Sequence, residues 1–155
     1  MNKKSRKIFL TLFYSGLFPK APGTMGTIVA LFLGMIVLTF LNGTTLLLGA
    51  VFISIIAIKQ IDIYEKEMGE HDSKEIVIDE LAGMWIAMYI AGVTAESYIL
   101  ALLAFIFFRL FDILKPWIIG EIDQKVEGGM GVMGDDIVAG FFGGLCALLL
   151  YSLLF

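Results

Sequence analysis

Two pairs of adjacent acidic residues stand directly before apolar runs of the sequence. Asp79 and Glu80 precede one such run, and Asp135 and Asp136 precede the last one. Acids at a helix start can simply complement the helix dipole. Ionisable groups at a membrane boundary are nevertheless costly and often functional. Because oxygen-only ligands favour Mg²⁺, Mn²⁺ or Ca²⁺, two such pairs predict a divalent-cation site.

A third cluster carries both signs of charge at the end of another apolar run. Arg109, Asp112 and Lys115 are spaced three residues apart, so they share one face of a helix. Pro116 disfavours a helical conformation for the residue before it, which predicts a helix end there. The cluster could be an ordinary structural ion pair. With the acidic pairs, however, it brings five carboxylates together, and these repel one another unless cations intervene.

The segment 19–27 contains two prolines, two glycines and the basic residue Lys20. Thr24 or Thr27 could cap the helix that follows. A helix N-terminus offers free N–H groups and the positive end of a dipole, which suits a phosphate group. The segment therefore predicts either a phosphate-binding site or a loop with an ordinary cap.

Glycines surround the second acidic pair. Four of them lie within 128–134, which predicts an adaptable loop. Gly140, Gly143 and Gly144 follow and reduce the bulk of one helix face, which predicts close packing against another helix.

Other classes of site are excluded by composition. His71 is the single histidine and Cys146 the single cysteine, so sites built on several His or Cys ligands and intrachain disulfides are ruled out. The net charge is −4, and no basic face invites nucleic acid. A metal would have to be held by oxygen, next to basic residues, which suggests chemistry on a phosphorylated lipid.

The elements that position these groups are predicted to be membrane helices. Of the 155 residues, 59% are apolar and 17% are charged, against about 25% charged in a soluble domain. This bias excludes intrinsic disorder. The sequence predicts an all-α polytopic membrane bundle formed by a single domain over 1–155, with a soluble bundle of very apolar helices as the alternative.

About five membrane spans are expected, together with a short interfacial helix over residues 5–18. The apolar runs that define the spans are 26–41, 46–58, 81–93, 98–111 and 137–155. Several are short, since sixteen helical residues rise roughly 24 Å against a hydrocarbon core of about 30 Å. To cross the membrane, these helices must either include polar residues at their ends within the bilayer, or the bilayer must become thinner around them.

Charge placement predicts the topology. The eleven lysines and arginines lie in three segments, 1–20, 59–74 and 109–125. The opposite connections, 42–45 and 92–97, contain none. Five spans put all three basic segments on one side, which the positive-inside rule makes cytoplasmic. Fourteen of the fifteen acids share that side, with only Glu96 opposite, so the active site is expected to be cytoplasmic and the C-terminus outside.

Four motifs resemble the phosphatidylglycerophosphatase A family, in the family's order and spacing and over nearly the whole chain. The motifs read PKAPGTMGT at 19–27, DSKEIVIDELAGMW at 72–85, FRLFDILKPW at 108–117 and GGMGVMGDDIVAG at 128–140. Met25 stands where the family usually has Trp, and Ser73 where it often has Pro. Neither departure removes a charged group.

The resemblance implies a multi-pass enzyme of the bacterial inner membrane. It would hydrolyse phosphatidylglycerophosphate to phosphatidylglycerol and inorganic phosphate in phospholipid biosynthesis, with Mg²⁺. Its partners would be the phospholipid substrate and the bilayer, while the oligomeric state stays open. The family's charged motif positions correspond here to Asp72, Asp79, Glu80, Asp112, Asp135, Asp136, Lys20, Arg109 and Lys115.

Roles can be assigned to these positions as a hypothesis. The metal ligands are Asp79, Glu80, Asp135 and Asp136, with Asp112 linking the metal to the basic residues. Substrate phosphate is expected to contact Arg109 and Lys115, with Lys20 and Thr24 as further binding residues. Asp72 or Glu80 acts as general base, and an aspartyl-phosphate route remains open.

Two other functions compete with this one. A small membrane cation transporter also uses membrane carboxylates, but it predicts acids near the middle of spans, whereas these cluster at one end. A different Mg²⁺-dependent enzyme of lipid headgroups, such as a CDP-alcohol phosphotransferase, lacks its signature of spaced aspartates beginning Asp-Gly in this sequence.

Overall fold

The computed structural model describes residues 1–69 and 73–155, and in these ranges the chain is helical without strands. The prediction of an all-α fold is confirmed. A 3₁₀ turn at Ser15–Leu17 separates the first two of seven helices. The helices are α1 (Lys3–Leu10), α2 (Pro22–Phe40), α3 (Gly43–Met68), α4 (Ile78–Ala91), α5 (Tyr98–Leu114), α6 (Ile118–Lys125) and α7 (Gly128–Leu154).

Three of the described helices, α2, α3 and α7, are long and apolar enough to cross a membrane, judged by length and composition. Each leaves large apolar side chains on the outside, for example Phe32, Phe52 and Leu149. Outward apolar surface of this kind suits contact with lipid. Helices α4 and α5 have 14 and 17 residues, so the expected count of about five spans remains a prediction.

Helix α4 is the central helix of the bundle, packed against α2, α3, α5 and α7. Ten of its 14 residues are buried, including the small residues Ala82, Gly83 and Ala87. Neighbouring helices cover it nearly all round, so α4 leaves little surface for contact with lipid. Its first turn carries Asp79 and Glu80, so the best-packed element of the protein holds the first acidic pair.

Glycines allow α7 to approach α4 and α5 closely, as their spacing predicts. A Cβ atom added at Gly140 would lie 2.2 Å from the Gly83 carbonyl oxygen, and one at Gly144 would lie 2.6 Å from the Ala87 carbonyl oxygen. At Gly143 it would lie 2.7 Å from the Phe108 backbone nitrogen. The close approach fixes α7, and with it the second acidic pair, against α4.

Replacing Gly140 with alanine is therefore expected to destabilise the fold, by about 1–3 kcal/mol as for other overpacked sites. The measurement is thermal unfolding of the purified protein in detergent. Gly43→Ala is the matched control, since its Cβ would lie an ordinary 3.7 Å from Tyr89 Cδ2. Equal unfolding temperatures for wild type and Gly140→Ala would show that this contact does not constrain the helices.

The N-terminal helix differs from its predicted extent of 5–18. Helix α1 ends at Leu10, and Leu12, Phe13 and Tyr14 then have positive φ angles of 44°, 54° and 69°. This left-handed turn ends the helix early and redirects the chain, so that the Val77 N–H donates to the Leu10 carbonyl at 2.9 Å. Apolar residues continue past Leu10, but the helix ends there. The contact with Val77 lies far along the chain, so the local sequence does not reveal it.

The glycine-rich segment 128–134 is not a loop, which corrects that prediction. Helix α7 begins at Gly128, so the four glycines form its first turns and the acidic pair lies further inside the helix. Asp62 of α3 accepts a hydrogen bond from the Gly129 N–H at 2.7 Å. A Cβ at Gly129 would lie 2.2 Å from the Ile58 carbonyl oxygen, so packing against α3 supports a helix that glycine alone disfavours.

Ion pairs join the N-terminal basic segment to the end of α3 and to the residues just before α4, which agrees with the charge-based topology. Arg6 Nη1 lies 2.7 Å from Glu67 Oε2 at the end of α3. Lys7 Nζ lies 3.2 Å from Glu75 Oε2, just before α4. The opposite end carries the connection through Asn42 between α2 and α3 and the polar turn before α5.

Candidate active site

A cavity of about 200 Å³ opens at the charged end of the bundle. The start of α2, the segment before α4, and helices α4 to α7 form its walls, so residues far apart in sequence meet there. Its lining includes all five carboxylates of the predicted metal set. Within residues 1–69 and 73–155, the charged residues that line it are Lys74, Asp79, Glu80, Asp112, Lys115, Asp123, Asp135 and Asp136.

The carboxylates form two overlapping groups in which one oxygen per residue lies within 4.8 Å of the others. The first group contains Asp79, Glu80 and Asp136, and the second contains Asp112, Asp135 and Asp136. Sequence alone predicts the set of five, but its division into two groups that share Asp136 is visible only in the fold.

Several of these oxygens have no hydrogen-bond partner in the part of the chain that the structure describes. They are Asp79 Oδ1, Glu80 Oε2 and Asp136 Oδ2, and all three are buried. A buried charged oxygen without a partner is strongly destabilising. A hard divalent cation would satisfy all three, because carboxylate oxygens are its preferred ligands. The residues present therefore fit a Mg²⁺ ion.

Arg109 lies behind the carboxylates on α5. Its guanidinium pairs with Asp112, and its Nη1 lies 3.7 Å from Glu80 Oε1 and 3.5 Å from Thr27 Oγ1. Arg109 is not among the residues that line the cavity. In this structure it positions two carboxylates, whereas the sequence hypothesis also gave it a direct contact with substrate.

Lys115 joins α5 to two other parts of the cavity wall. Its Nζ lies 2.5 Å from Asp123 Oδ1 and 2.7 Å from Asp135 Oδ2. Burial lowers the pKa of Lys115, but the hydrogen bonds to Asp123 and Asp135 outweigh burial and raise the pKa above its ordinary value. Lys115 therefore stays cationic. It lies just past the end of α5 in a left-handed conformation, with φ 44°, so the helix ends before Pro116 as predicted.

Gly23 brings the start of α2 close to the acids. A Cβ at this position would lie 2.3 Å from Glu80 Oε1 and 3.3 Å from Arg109 Nη2. Any larger residue would displace the Glu80 carboxylate. The motif 19–27 thus shapes the cavity because Gly23 has no side chain to displace the Glu80 carboxylate.

The predicted caps of α2 are not used. Helix α2 begins at Pro22 after Ala21, which makes no side-chain cap, and the Thr27 hydroxyl donates to the Gly23 carbonyl at 2.8 Å. A proline at the first helical position has no N–H that would need a partner, and its fixed φ suits a helix start. Both expectations, a cap from Thr24 and a cap from Thr27, are wrong.

Besides Arg109, three predicted site residues lie outside the cavity lining or outside the described chain. Lys20 is exposed and Thr24 is half-buried, and neither lines the cavity. Asp72 falls outside the described residues. The other predicted residues, Asp79, Glu80, Arg109, Asp112, Lys115, Asp135 and Asp136, come together as expected.

Two charged residues of the cavity carried no predicted role. Asp123 on α6 pairs with Lys115, and Lys74 lies at the rim, exposed to solvent. The sequence of α6 resembles an ordinary amphipathic surface helix, so it gives no signal for Asp123. Lys74 belongs to the motif at 72–85, where its positive charge distinguishes it from the neighbouring acidic residues.

Comparison with known proteins identifies similar sequences. A family model described as phosphatidylglycerophosphatase A matches residues 8–151. Phosphatidylglycerophosphatase A of Escherichia coli K12 is 40% identical over 128 residues, covering 83% of this chain and 73% of its own. The Haemophilus influenzae protein of that name is 37% identical over 130 residues, covering 84% and 78%.

A third relative has a different description. A Bacteroides thetaiotaomicron protein described as a candidate phosphatidylinositol-3-phosphatase is 35% identical over 137 residues, covering 85% of this chain and 84% of its own. No solved structure matches this chain.

Proposed function

Because this chain belongs to the phosphatidylglycerophosphatase A family, we propose that it hydrolyses phosphatidylglycerophosphate to phosphatidylglycerol and inorganic phosphate in phospholipid biosynthesis. The observation that carries the proposal is the cavity at one end of an apolar bundle, where buried carboxylates lie beside the cationic Lys115. Two of the similar proteins are described as enzymes of this activity.

The reaction is proposed to depend on Mg²⁺. The residues that would hold the ion are the predicted metal set, Asp79, Glu80, Asp112, Asp135 and Asp136. When bound, the ion would polarise the phosphate and make a water molecule more acidic. The buried oxygens without partners among the described residues support this assignment, because a bound cation would satisfy them.

The chain's own residues supply the remaining functions. Lys115 presents a fixed positive charge at the cavity wall, where it stabilises the non-bridging phosphate oxygens as their charge redistributes. Water adds to phosphorus, the P–O ester bond breaks, and the lipid leaves as an alcohol. Glu80 or Asp72 accepts the proton of the attacking water and transfers it to the departing lipid oxygen. The alternative is direct attack by an aspartate, followed by hydrolysis of the acyl phosphate.

The apolar helices and the bacterial relatives indicate a membrane protein. We place it in the bacterial inner membrane, with the cavity facing the cytoplasm. All three basic segments lie at the cavity's end of the bundle, as the positive-inside rule requires of a cytoplasmic face. A lipid phosphate group in the inner leaflet would then lie at the level of the cavity.

The rival function as a cation transporter is disfavoured by the placement of the acids. Asp79 and Glu80 are in the first turn of α4, and Asp112 is in the last turn of α5. No acid lies in residues 81–95 or 137–155 to continue an ion path toward the opposite end.

Phosphate release from a panel of lipid phosphomonoesters tests the proposed substrate. Purified protein in mixed micelles with Mg²⁺ is expected to release phosphate fastest from phosphatidylglycerophosphate. Phosphatidic acid and phosphatidylinositol 3-phosphate are the comparison substrates, the second because of the Bacteroides relative. Faster release from either would contradict the proposed headgroup, and release from none would contradict the proposed reaction.

A further inference from the structure

We propose that the acidic cavity binds two divalent cations and that Asp136 is a ligand to both. This inference rests on the proposed function, because it specifies the metal content of the same site. One cation would be held by Asp79, Glu80 and Asp136, and the other by Asp112, Asp135 and Asp136.

The geometry supports two positions. In each group the three ligand oxygens lie within 4.8 Å of one another, and the groups share Asp136 alone. The first group comes from the start of α4 and from α7. The second comes from the end of α5 and from α7. Asp136 belongs to both groups, so its carboxylate could be shared by two cations.

Buried oxygens without partners support a bound cation independently of the clustering. Asp136 is 3% exposed and Glu80 is 8% exposed, and Asp136 Oδ2 and Glu80 Oε2 have no hydrogen-bond partner among the described residues. In the second group, Asp112 Oδ2 faces Arg109 and Asp135 Oδ2 faces Lys115. Each ionised carboxylate has about four lone-pair positions, so both retain capacity for a metal.

The charge of the cavity favours two cations over one. Among the described residues, six carboxylates line it, while the basic groups are Lys74 and Lys115 in the lining and Arg109 behind it. With all groups ionised, the excess is three negative charges, so one divalent cation leaves the cavity negative. Two make it positive by one charge, which attracts an anionic phosphate. Paired divalent ions that clamp a phosphate are an established solution in phosphatases.

Binding of Mn²⁺ alone tests the proposal without substrate. Mn²⁺ is titrated into the purified full chain in detergent, and the electron paramagnetic resonance signal of free Mn²⁺ reports the bound number. Two bound ions per chain are expected, with a spectrum of magnetically coupled ions because they share a carboxylate. One bound ion per chain in the wild type would overturn the proposal.

Single substitutions then test the two sets of ligands. Asp79→Asn and Asp112→Asn are each expected to reduce the bound number from two to one and to remove the coupled spectrum. Glu121→Gln on α6 is the control, since its exposed side chain lies outside the cavity, and it should still bind two. Loss of all Mn²⁺ in both Asp variants, with thermal unfolding showing that they are folded, would indicate a single site and overturn the proposal.

The Mn²⁺ titration and the phosphate-release assay distinguish failure of the two-cation proposal from failure of the proposed reaction. A wild type that releases phosphate but binds one Mn²⁺ refutes the second cation and leaves the proposed function intact. A wild type that binds two coupled Mn²⁺ ions but releases no lipid phosphate supports the two-cation site and refutes the proposed reaction.

Discussion

Asp136→Asn is expected to reduce phosphate release from phosphatidylglycerophosphate by at least about 100-fold, since even outer partners of metal sites are worth 10–100-fold. Asparagine keeps the shape of the side chain but removes the charge that both carboxylate groups share. The measurement is the initial rate of phosphate release by the purified variant at saturating Mg²⁺.

Thermal unfolding distinguishes loss of the site from loss of the fold. Asp136 is 3% exposed and has a buried oxygen without a partner among the described residues, so its charge costs stability when no cation is bound. With Mg²⁺ removed, Asp136→Asn is therefore expected to unfold at a higher temperature than wild type. A wild-type rate of phosphate release in Asp136→Asn would contradict the site assignment.

Lys115→Met is expected to lower the rate of phosphate release by roughly 10²–10³-fold, the usual effect of removing one group that stabilises transition-state charge. Methionine keeps most of the apolar stem but removes the cation between Asp123 and Asp135. The negative charge of the cavity then increases, so the KM for the anionic substrate should rise while kcat falls.

Lys125→Met provides the matched control for Lys115. Lys125 also pairs with an acid, Glu121, at 3.3 Å, but it is 71% exposed and lies outside the cavity lining. Exposed ion pairs of this kind contribute about 0–1 kcal/mol. The control should keep wild-type kinetics. Equal rates in Lys115→Met and Lys125→Met would show that charge in the cavity wall does not assist the reaction.

Much of the site is predictable because chain-local rules determine it. Pro116 sets the end of α5, so Arg109 and Asp112 fall in its last two turns and Lys115 just beyond. Asp79 and Glu80 directly precede apolar residues, which puts them in the first turn of α4. The one-sided distribution of lysine and arginine predicts that these helix ends meet, and the cavity contains them together.

The glycine-rich segment was predicted incorrectly because its structure depends on a distant partner. Four glycines in seven residues disfavour a helix when considered alone. Asp62, about five turns along α3, accepts the Gly129 N–H, and the Ile58 backbone leaves no room for a side chain there. The glycines are needed for close packing, and helix α7 therefore begins earlier than the sequence suggests.

Asp123 illustrates the other limit of sequence reasoning. It belongs to a short helix whose alternating apolar and charged residues are typical of a protein surface. The placement of α6 beside the end of α5 brings it within 2.5 Å of Lys115 Nζ. Residues of this kind carry no local pattern, since their role depends on which helix faces which.

Chelation and restoration of Mg²⁺ test the central claim most directly. Phosphate release from phosphatidylglycerophosphate is followed in one preparation with Mg²⁺, after excess EDTA, and after Mg²⁺ is added back. The cavity of buried carboxylates predicts release that stops with EDTA and returns with Mg²⁺. Release that continues unchanged in EDTA would contradict the account.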